Sequence, residues 1–399
     1  MATFVAKTPV DLDNPNELMI LDKASTTWSI GSSWFTATSA DGSILIEGTG
    51  GPFVHLPGSP LAGPLTGLVV NYLSPSARTA YTISGITGLT VDDFVNFAVH
   101  FFGPSGAMAT MLRGADSIVG SDSDDHLNGY LGDDTMHGGK GNDLVEGNSG
   151  DDHLFGDAGN DILLGGTGDD QLSGGPGRDL LDGGDGNDTA IYSDASKSVV
   201  VKLSGTFDAE VLVGGRHEDA VRNVEGIQGG HAGDRITGDA QDNALFGNGG
   251  NDILKGAGGH DFLDGGAGKD VIFGGPGIDV LAGGKGNDTL SGGGGKDAFY
   301  FNTALNAKTN VDTITDCKPG TDLIVLSQHV FAAITGADIS AHDFFGKGAA
   351  HNSHQHIVYQ PASGNLLYDP DGNGPGRPVL FAHLGHHLPV SVADFLVVA

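Results

Sequence analysis

The sequence contains almost no cysteine and no long apolar segment. Cys317 is the only cysteine among 399 residues, which excludes an intrachain disulfide, and we expect its side chain to pack as a small apolar residue. No apolar run approaches the roughly 18 residues of a membrane-spanning helix. Residues 1–14 lack the apolar core of a secretory signal peptide, and we therefore expect neither a membrane span nor a Sec signal.

Basic residues are scarce. The chain has 19 Lys and Arg against 50 Asp and Glu, which gives a formal net charge of −31. Because an acidic surface is repelled by phosphate backbones and by anionic lipid headgroups, we expect no nucleic-acid partner and no binding to an anionic membrane surface.

Two common catalytic motifs are also lacking. His217 and Glu218 begin an H-E-x-x-H zinc motif, but Val221 stands where the second histidine is required. No G-x-S-x-G nucleophile motif occurs either. The sequence therefore predicts no catalytic residue and no residue that binds an organic cofactor.

Glycine, in contrast, is abundant, with 68 residues. Over residues 138–188 the glycines recur with a period of nine in the pattern G-G-x-G-x-D-x-U-x, in which U is a large apolar residue. A nonapeptide repeat of this kind is typical of a parallel β-roll that binds calcium.

The pattern extends over two arrays of nine and eight units. Position six of the units holds Asp116, Asp125, Asp134, Asp143, Asp152, Asp161, Asp170, Asp179 and Asp188 in the first array, and Asp234, Asn243, Asp252, Asp261, Asp270, Asp279, Asp288 and Asp297 in the second. Position eight holds Ile118, Leu127, Met136, Val145, Leu154, Leu163, Leu172, Leu181 and Ala190, and then Ile236, Leu245, Leu254, Leu263, Ile272, Leu281, Leu290 and Phe299.

Each unit predicts a loop followed by a short strand whose middle residue points inward. Two units form one coil with a loop on each side, and loops on the same side then stack about 4.8 Å apart. Glycines permit positive φ angles and leave space for backbone carbonyls. Carboxylate and carbonyl oxygens that converge in this way suit Ca²⁺, which prefers about six to eight oxygen ligands, and the cation would relieve the repulsion between stacked aspartates.

The alternative is a disordered linker rich in Gly and Asp. A linker has no need for a large apolar residue at every ninth position, and the regular position eight therefore argues against it.

These units resemble the RTX repeats of proteins exported by type I secretion, most clearly over residues 112–300. The resemblance implies an all-β fold, a right-handed parallel β-roll with one Ca²⁺ between successive loops on the same side. It also implies an uncleaved C-terminal export signal, passage through a type I exporter in an unfolded state and an extracellular location. The last residues, ADFLVVA, are similar to such signals.

The aspartates of the well-formed units are the predicted calcium ligands. Four units depart from the pattern, through Leu112, Ser123, Ala232 and the pair Gln241 and Asn243, and we expect defective sites there. The seventeen loops then predict about 9 to 13 calcium ions. The predicted ligands are Asp134, Asp143, Asp152, Asp161, Asp170, Asp179, Asp188, Asp252, Asp261, Asp270, Asp279, Asp288 and Asp297.

Further regions are predicted before, between and after the two arrays. The expected regions are a β-rich N-terminal cap with one short helix (1–110), the first array (111–191), an inserted β segment (192–228), the second array (229–300) and a C-terminal capping and secretion-signal region (301–399). The cap should contain strands at Trp28–Thr36, Ser43–Gly48, Thr66–Tyr72 and Ala80–Ser84 and a helix beginning after Thr90, and HIVYQ, NLLYD and VLFAHL should form an antiparallel meander. Whether the arrays form one roll or two is left open.

Two late features have alternative interpretations. The loop Asp369–Gly374 begins as a D-x-D-x-N-G calcium loop, but Leu380 replaces the twelfth-position Glu and nearby prolines prevent an exiting helix, which favours a metal-free turn. Histidines concentrated near the end are either solvated loop residues or a transition-metal site. They are His351, His354, His356, His383, His386 and His387.

Together these features predict a secreted calcium-binding protein without its own catalytic centre. Its role would be at a surface, in a matrix or in host interaction, with an extracellular glycan or a host surface as the candidate partner. The rival hypothesis is an enzyme acting on extracellular polysaccharide.

Overall fold

The computed structural model describes residues 3–6, 26–30, 34–39, 44–50, 65–72, 78–84, 115–120, 122–334, 339, 343–346 and 352–399. These residues are all-β apart from one short 3₁₀ helix at Val392–Asp394, and they include no helix long and apolar enough to cross a membrane. The chain divides into two compact units, residues 1–190 with 218–224 and residues 191–217 with 225–399.

Short strands occur from end to end of the described chain. Before the arrays they are β1 (Thr3–Ala6), β2 (Thr26–Ile30), β3 (Trp34–Ser39), β4 (Ile44–Gly50), β5 (Leu65–Tyr72) and β6 (Arg78–Ser84). In the first array they are β7 (Ser117–Val119), β8 (His126–Asn128), β9 (Thr135–Lys140), β10 (Leu144–Ser149), β11 (His153–Ala158), β12 (Ile162–Thr167), β13 (Gln171–Ser173), β14 (Leu180–Asp185) and β15 (Thr189–Ile191).

The strands that follow belong to the interruption, the second array and the C-terminal region. The interruption has β16 (Val199–Lys202), β17 (Ala209–Val213) and β18 (Arg216–Arg222). The second array has β19 (Gly226–Gln228), β20 (Arg235–Thr237), β21 (Ala244–Phe246), β22 (Ile253–Lys255), β23 (Phe262–Asp264), β24 (Ala267–Gly268), β25 (Val271–Pro276), β26 (Val280–Ala282), β27 (Lys285–Gly286), β28 (Thr289–Gly294) and β29 (Ala298–Phe301). The C-terminal region has β30 (Asp312–Ile314), β31 (Leu323–Ser327), β32 (Phe344–Phe345), β33 (Ile357–Gln360), β34 (Asn365–Tyr368), β35 (Val379–His383) and β36 (Phe395–Val398).

The first unit begins with an antiparallel meander in the order β2-β3-β4-β5-β6-β1. Strand β1 then pairs in parallel with β7, the first strand of the array. The predicted β-rich cap is therefore present, and it occupies the strand edge that the first coil would otherwise leave unpaired. The single strand predicted at 28–36 is two strands, β2 and β3, and the helix predicted after Thr90 lies outside the described residues.

Two parallel sheets make up the roll of the first unit. One contains β7-β9-β11-β13-β15 and the other contains β8-β10-β12-β14-β18. Residues one coil apart are partners, as in the pair Val145 and Leu163. The last partner of Leu181 is Val221, in β18, so residues 218–222 complete the first unit although the sequence placed them in a separate inserted segment.

The second unit repeats this arrangement. One sheet has the parallel order β19-β21-β23-β26-β29-β31-β36. The other runs in parallel from β16 through β20, β22, β25, β28 and β30 to β35, with β17 antiparallel to β16 at one edge. The predicted C-terminal meander is present, because β33, β34 and β35 are antiparallel neighbours.

The core of each unit lies between its two sheets and is formed by position eight. All seventeen predicted apolar residues are at most 1% exposed. Further apolar residues from outside the two arrays extend the same rows, namely Val201, Val221, Ile314 and Ile324. Alternation along the strands places the neighbouring residues outside.

Candidate calcium sites

The position-six residues form four rows, two in each unit, along the loops at the sides of the rolls. All are buried, with exposed fractions of 0 to 6%. In the first unit the rows are Asp116, Asp134, Asp152, Asp170, Asp188 and Asp125, Asp143, Asp161, Asp179, Asp219. In the second they are Asp234, Asp252, Asp270, Asp288, Asp312 and Asn243, Asp261, Asp279, Asp297, Asp322.

Backbone hydrogen bonds hold each row together. The backbone N–H of one position-six residue donates to Oδ1 of the next aspartate in its row, at N to O distances of 2.7 to 3.2 Å. This bond fixes each carboxylate in the loop and turns it along the row.

The second carboxylate oxygen is the unusual feature. Within the described part of the chain, Oδ2 of twelve of the predicted ligands is buried and has no hydrogen-bond partner; these are Asp134, Asp143, Asp152, Asp161, Asp170, Asp179, Asp252, Asp261, Asp270, Asp279, Asp288 and Asp297. The thirteenth, Asp188, is fully buried and accepts the N–H of Asp170. A buried carboxylate oxygen without a hydrogen bond is costly unless a cation approaches it.

A backbone carbonyl points to the same place as this oxygen. A Cβ atom built on Gly138, at position one, would lie 2.5 Å from Oδ2 of Asp143 and 2.7 Å from the carbonyl oxygen of Gly156, one coil further on. A Cβ on Gly156 would lie 2.6 Å from both Oδ2 of Asp161 and the carbonyl oxygen of Gly174. Position one is therefore glycine because oxygens from two loops converge beside its Cα, and oxygen-only ligand sets suit Ca²⁺.

The pKa values show the electrostatic cost of these carboxylates. Burial raises the pKa of Asp143 and Asp152 to about 7 and that of Asp134 to about 8. The backbone hydrogen bond at Oδ1 lowers each pKa, and neighbouring carboxylates in the row raise it. A bound cation would reverse this balance by favouring the ionised form.

Three row members at the beginning or end of the second unit differ, because a backbone N–H in their own loop donates to the position-six side chain. Gly230 N–H donates to Oδ2 of Asp234 at 2.8 Å, and Asp239 N–H donates to Oδ1 of Asn243 at 2.8 Å. Lys318 N–H donates to Oδ2 of Asp322 at 2.8 Å. In each case the donor lies four residues before the acceptor, at position two of the loop.

The backbone conformation at position two separates the two kinds of loop. In the described loops whose Oδ2 has no hydrogen-bond partner, the residue at position two has a positive φ. Examples are Gly139, Gly166 and Gly275, and also the non-glycine residues Asp157 and Ala257. Gly230, Asp239 and Lys318 do not adopt positive φ. We therefore interpret position two as the residue that decides whether its N–H faces the carboxylate or leaves the space to a cation.

Sequence reasoning missed three row members, Asp219, Asp312 and Asp322. They accept the N–H groups of Asp179, Asp288 and Asp297 at 2.9, 3.1 and 3.2 Å. Each is followed two residues later by a buried apolar residue, Val221, Ile314 or Ile324, which is the spacing of positions six and eight. That spacing was the available signal, but none of the loops before these residues has the complete glycine pattern of positions one, two and four.

Position five carries a second, exposed ladder. The N–H of Asn142 donates to Oδ1 of Asp124 at 2.7 Å, and that of Asn160 donates to Oδ1 of Asn142 at 2.9 Å. Because these side chains are exposed and hydrogen-bonded, they stabilise the stacking of loops without forming a buried site.

The other predicted features lie away from the rows. The described residues contain no group of three or more His, Cys, Asp or Glu side chains that could hold a metal ion. Among the late histidines, His356 and His386 donate from Nδ1 to the carbonyl oxygens of Asp369 and Ala362, and Nδ1 of His383 lies 2.8 Å from Oδ1 of Asn365. His351 lies outside the described residues.

Cys317 lies in a buried site, and the loop after β34 forms a hydrogen-bonded turn. Cys317 is 7% exposed, and burial raises the pKa of its thiol to about 12, so the protonated side chain packs as a small apolar group. In the loop, Gly374 N–H donates to the carbonyl oxygen of Asp371 and Gly376 N–H donates to its Oδ2 at 2.9 Å, which is the hydrogen bonding of a turn.

Comparison with known proteins identifies the repeats. The family profile described as RTX calcium-binding nonapeptide repeat (4 copies) matches residues 112–145, 129–163, 138–172, 155–190, 228–263, 246–281 and 273–302. No curated protein matches the sequence.

Among solved structures, the crystal structure of extracellular lipase LipA from Serratia marcescens is 18% identical, with a TM-score of 0.17. The match covers 71% of this chain and 40% of that chain, so this chain spans less than half the length of that lipase. Such a TM-score gives no support for a shared activity. The matched repeats, the parallel rolls and the converging loop oxygens agree with one another, and residues 112–190 and 228–302 are RTX calcium-binding nonapeptide repeats.

Proposed function

We propose that this chain is a secreted protein whose two rolls fold when extracellular Ca²⁺ binds between their loops, and that it acts without catalysis at a surface, in a matrix or in host interaction. The observation that supports the proposal is the buried Oδ2 without a hydrogen bond, repeated along all four rows. Such an array of uncompensated carboxylates disfavours folding until a cation compensates them.

The ligands we assign are the thirteen position-six aspartates of the well-formed units, from Asp134 to Asp188 and from Asp252 to Asp297. Each would supply Oδ2, and position one of the next coil would supply its carbonyl oxygen. The loops of Asp234, Asn243 and Asp322 are excluded, because a backbone N–H already occupies the place of the cation. The number of ions is then about 9 to 13, near one for each pair of loops.

We assign supporting roles to the remaining regions. Residues 1–110 cap the first roll and residues 301–399 close the second, where β30 and β31 continue its two sheets. Extracellular calcium modules have dissociation constants of about 10⁻⁴–10⁻³ M, far weaker than cytosolic buffers. The rolls would then remain unfolded inside the cell, which suits export through a type I exporter.

Calcium titration tests the folding step. In chelator, circular dichroism should show little β signal from the arrays, and added calcium should restore it with a midpoint of about 10⁻⁴–10⁻³ M, whereas magnesium should not. A chelated protein that retains full β signal and compactness would overturn the proposal.

Export is tested in cells that carry a type I exporter. The full chain should appear in the medium, and a variant without residues 301–399 should stay inside. Export of that truncated variant would show that the signal lies elsewhere.

A further inference from the structure

The outer face of one sheet of the second unit carries a concentration of positive charge. Lys202 of β16, Arg235 of β20 and Lys255 of β22 lie on three neighbouring parallel strands. All three side chains are exposed, and none forms an ion pair with a described residue. In a chain with only 19 basic residues and a net charge of −31, an unpaired group of this kind is unusual.

These cations surround a cavity of about 380 Å³. Its floor is formed by the half-buried side chains of Val200, Leu212 and Ile253, and Thr237 adds a hydroxyl group. Ligand pockets for small molecules are about 300–1,000 Å³, mostly apolar, with a few polar groups that fix orientation. The volume of the cavity lies in this range, and its lining combines four apolar residues with five polar or charged ones.

The position of one cation is restrained by an aromatic ring. Nζ of Lys255 lies 5.8 Å from the centroid of the Phe273 ring, within the distance of a cation–π contact, about 6 Å. Phe273 belongs to β25, the next strand of the sheet, and is 41% exposed. The contact places the ammonium group beside the cavity that Lys255 lines.

The rim also contains one carboxylate. Glu210, on β17, lines the cavity, and its Oε1 lies close to Nδ1 of His217. A densely sulfated or phosphorylated ligand would be repelled by this group, whereas sugar hydroxyls can donate hydrogen bonds to it. The combination of three cations, one acceptor and an apolar floor suits a ligand that has one carboxylate per unit, several hydroxyls and an apolar ring face.

We propose that this cavity binds a carboxylated sugar unit of an acidic polysaccharide. The sugar carboxylate would lie among Lys202, Arg235 and Lys255, and its ring face would lie on Val200 and Ile253. The inference deepens the proposed extracellular role and depends on it only in requiring the second unit to be folded. Calcium in the loop rows would also reduce the overall negative charge that opposes an anionic ligand.

Isothermal titration of the full chain in millimolar calcium tests this site. The probe is a short oligosaccharide of alternating glucuronate and N-acetylglucosamine, compared with its carboxyl-reduced neutral form and with a sulfated oligosaccharide of equal length. We expect binding of the glucuronate form, at least tenfold weaker binding of the other two, and weakening with added salt because exposed charges are screened.

Matched variants locate the binding. Replacing Lys202, Arg235 and Lys255 together by Ala should weaken binding about tenfold or more, since each exposed ion pair contributes up to about fivefold. Replacing the exposed residues Lys269, Lys285 and Lys296 by Ala makes the same change in net charge and should leave binding unchanged. The β signal in calcium, recorded for every variant, shows that the roll is folded.

Three outcomes would overturn the assignment: no binding by a folded, calcium-loaded chain, equal binding of the neutral or sulfated oligosaccharide, or equal loss in the two triple variants. The β signal alone shows whether the chain folds on binding calcium. A failure to fold would contradict the proposed function, not the assignment of the cavity.

Discussion

Asp161 and Asp234 occupy the same position of the repeat but have different hydrogen bonding. Both are 1% exposed, and Oδ1 of each accepts a backbone N–H, from Asp143 and from Val199. Oδ2 of Asp234 also accepts the N–H of Gly230, whereas Oδ2 of Asp161 has no partner in the described part of the chain. We infer from this difference that burial alone does not make a calcium site, and that the second oxygen must also be left without a donor from its own loop.

Loops of the Asp234 kind lie where rows begin or end. Asp234 and Asn243 begin the rows of the second unit, and Asp322 ends one of them. In these three loops a protein donor in the loop itself stabilises the position-six side chain without metal. In the described part of the chain, the loops in the interior of each row have no such donor, and we propose that they depend on a cation.

The largest expected effect that tests this comparison is acidification without calcium. Burial raises the pKa of Asp143, Asp152 and Asp270 to about 7, from an ordinary value of 3.8. Protonation therefore favours the folded state: its stabilisation is complete below about 3.8 and is lost as the pH rises through about 7. In metal-free buffer, the β signal should increase between pH 8 and pH 5.

Hydrogen exchange, corrected for the intrinsic pH dependence of the rate, should then show protection appearing in the row interiors. The loop of Asp234 should gain least, because its carboxylate already has two donors. A metal-free chain whose β signal falls on acidification would contradict the comparison.

A pair of substitutions separates the two kinds of aspartate directly. Asp161→Ala should remove the calcium sites that its loop shares, and at calcium 100-fold above the dissociation constant each lost site costs about 2.7 kcal/mol of folding free energy. Asp234→Ala removes two hydrogen bonds, about 1–3 kcal/mol. The free-energy deficit of Asp161→Ala should grow with calcium concentration, and that of Asp234→Ala should be constant. Equal calcium dependence of the two variants in chemical denaturation would remove the distinction.

Glycine at position one gives a smaller effect of the same kind. Gly138→Ala would place a methyl group against Oδ2 of Asp143 and the carbonyl oxygen of Gly156, where we place the ion. We expect the loss of about one bound calcium and a cost of about 1–3 kcal/mol from overpacking. Gly294→Ala is the control, because a Cβ there meets nothing within 4 Å. Calcium counted by equilibrium dialysis should be unchanged in the control, and an unchanged count for Gly138→Ala would argue against the proposed position of the ion.

The smallest effect concerns position two. Ala257 has φ of 82°, a conformation that disfavours any residue with a Cβ by about 1–2 kcal/mol. Ala257→Gly should therefore stabilise the protein by up to about 1 kcal/mol, with the calcium count unchanged. Ala240→Gly, in the loop of Asn243 and without positive φ, should destabilise slightly. Thermal unfolding in saturating calcium measures both, and a lower melting temperature for Ala257→Gly would contradict the assignment of strain.

The sequence predicted the interior of the rolls well because one residue type serves one physical need at each place. Leu163 at position eight is apolar because it is fully buried between two sheets, and Asp161 at position six is acidic because the loop oxygens converge there. Both requirements recur in every unit, so the nine-residue period of the sequence reveals the residues that meet them.

The ends of the rows could not be predicted in this way. Asp219, Asp312 and Asp322 meet the same need, but each occurs once, after a loop of different length and composition. The donor to Oδ2 of Asp234 is a backbone N–H. Because every residue except proline has this group, the sequence does not reveal where it donates. The sequence departs from the repeat at Ala232 and Gln241 in these loops, whereas the additional hydrogen bond is donated from position two, by Gly230 and Asp239.

The unequal steps at the row ends have a consequence for how such proteins diversify. Most successive row members are 18 residues apart, but the last steps of three of the four rows are 40, 24 and 25 residues long. These coils share an aspartate and a buried apolar residue two places later, whereas the number of residues between one coil and the next differs. Foreign segments can therefore be spliced between coils, in evolution or by engineering, provided that the chain returns with this three-residue signature.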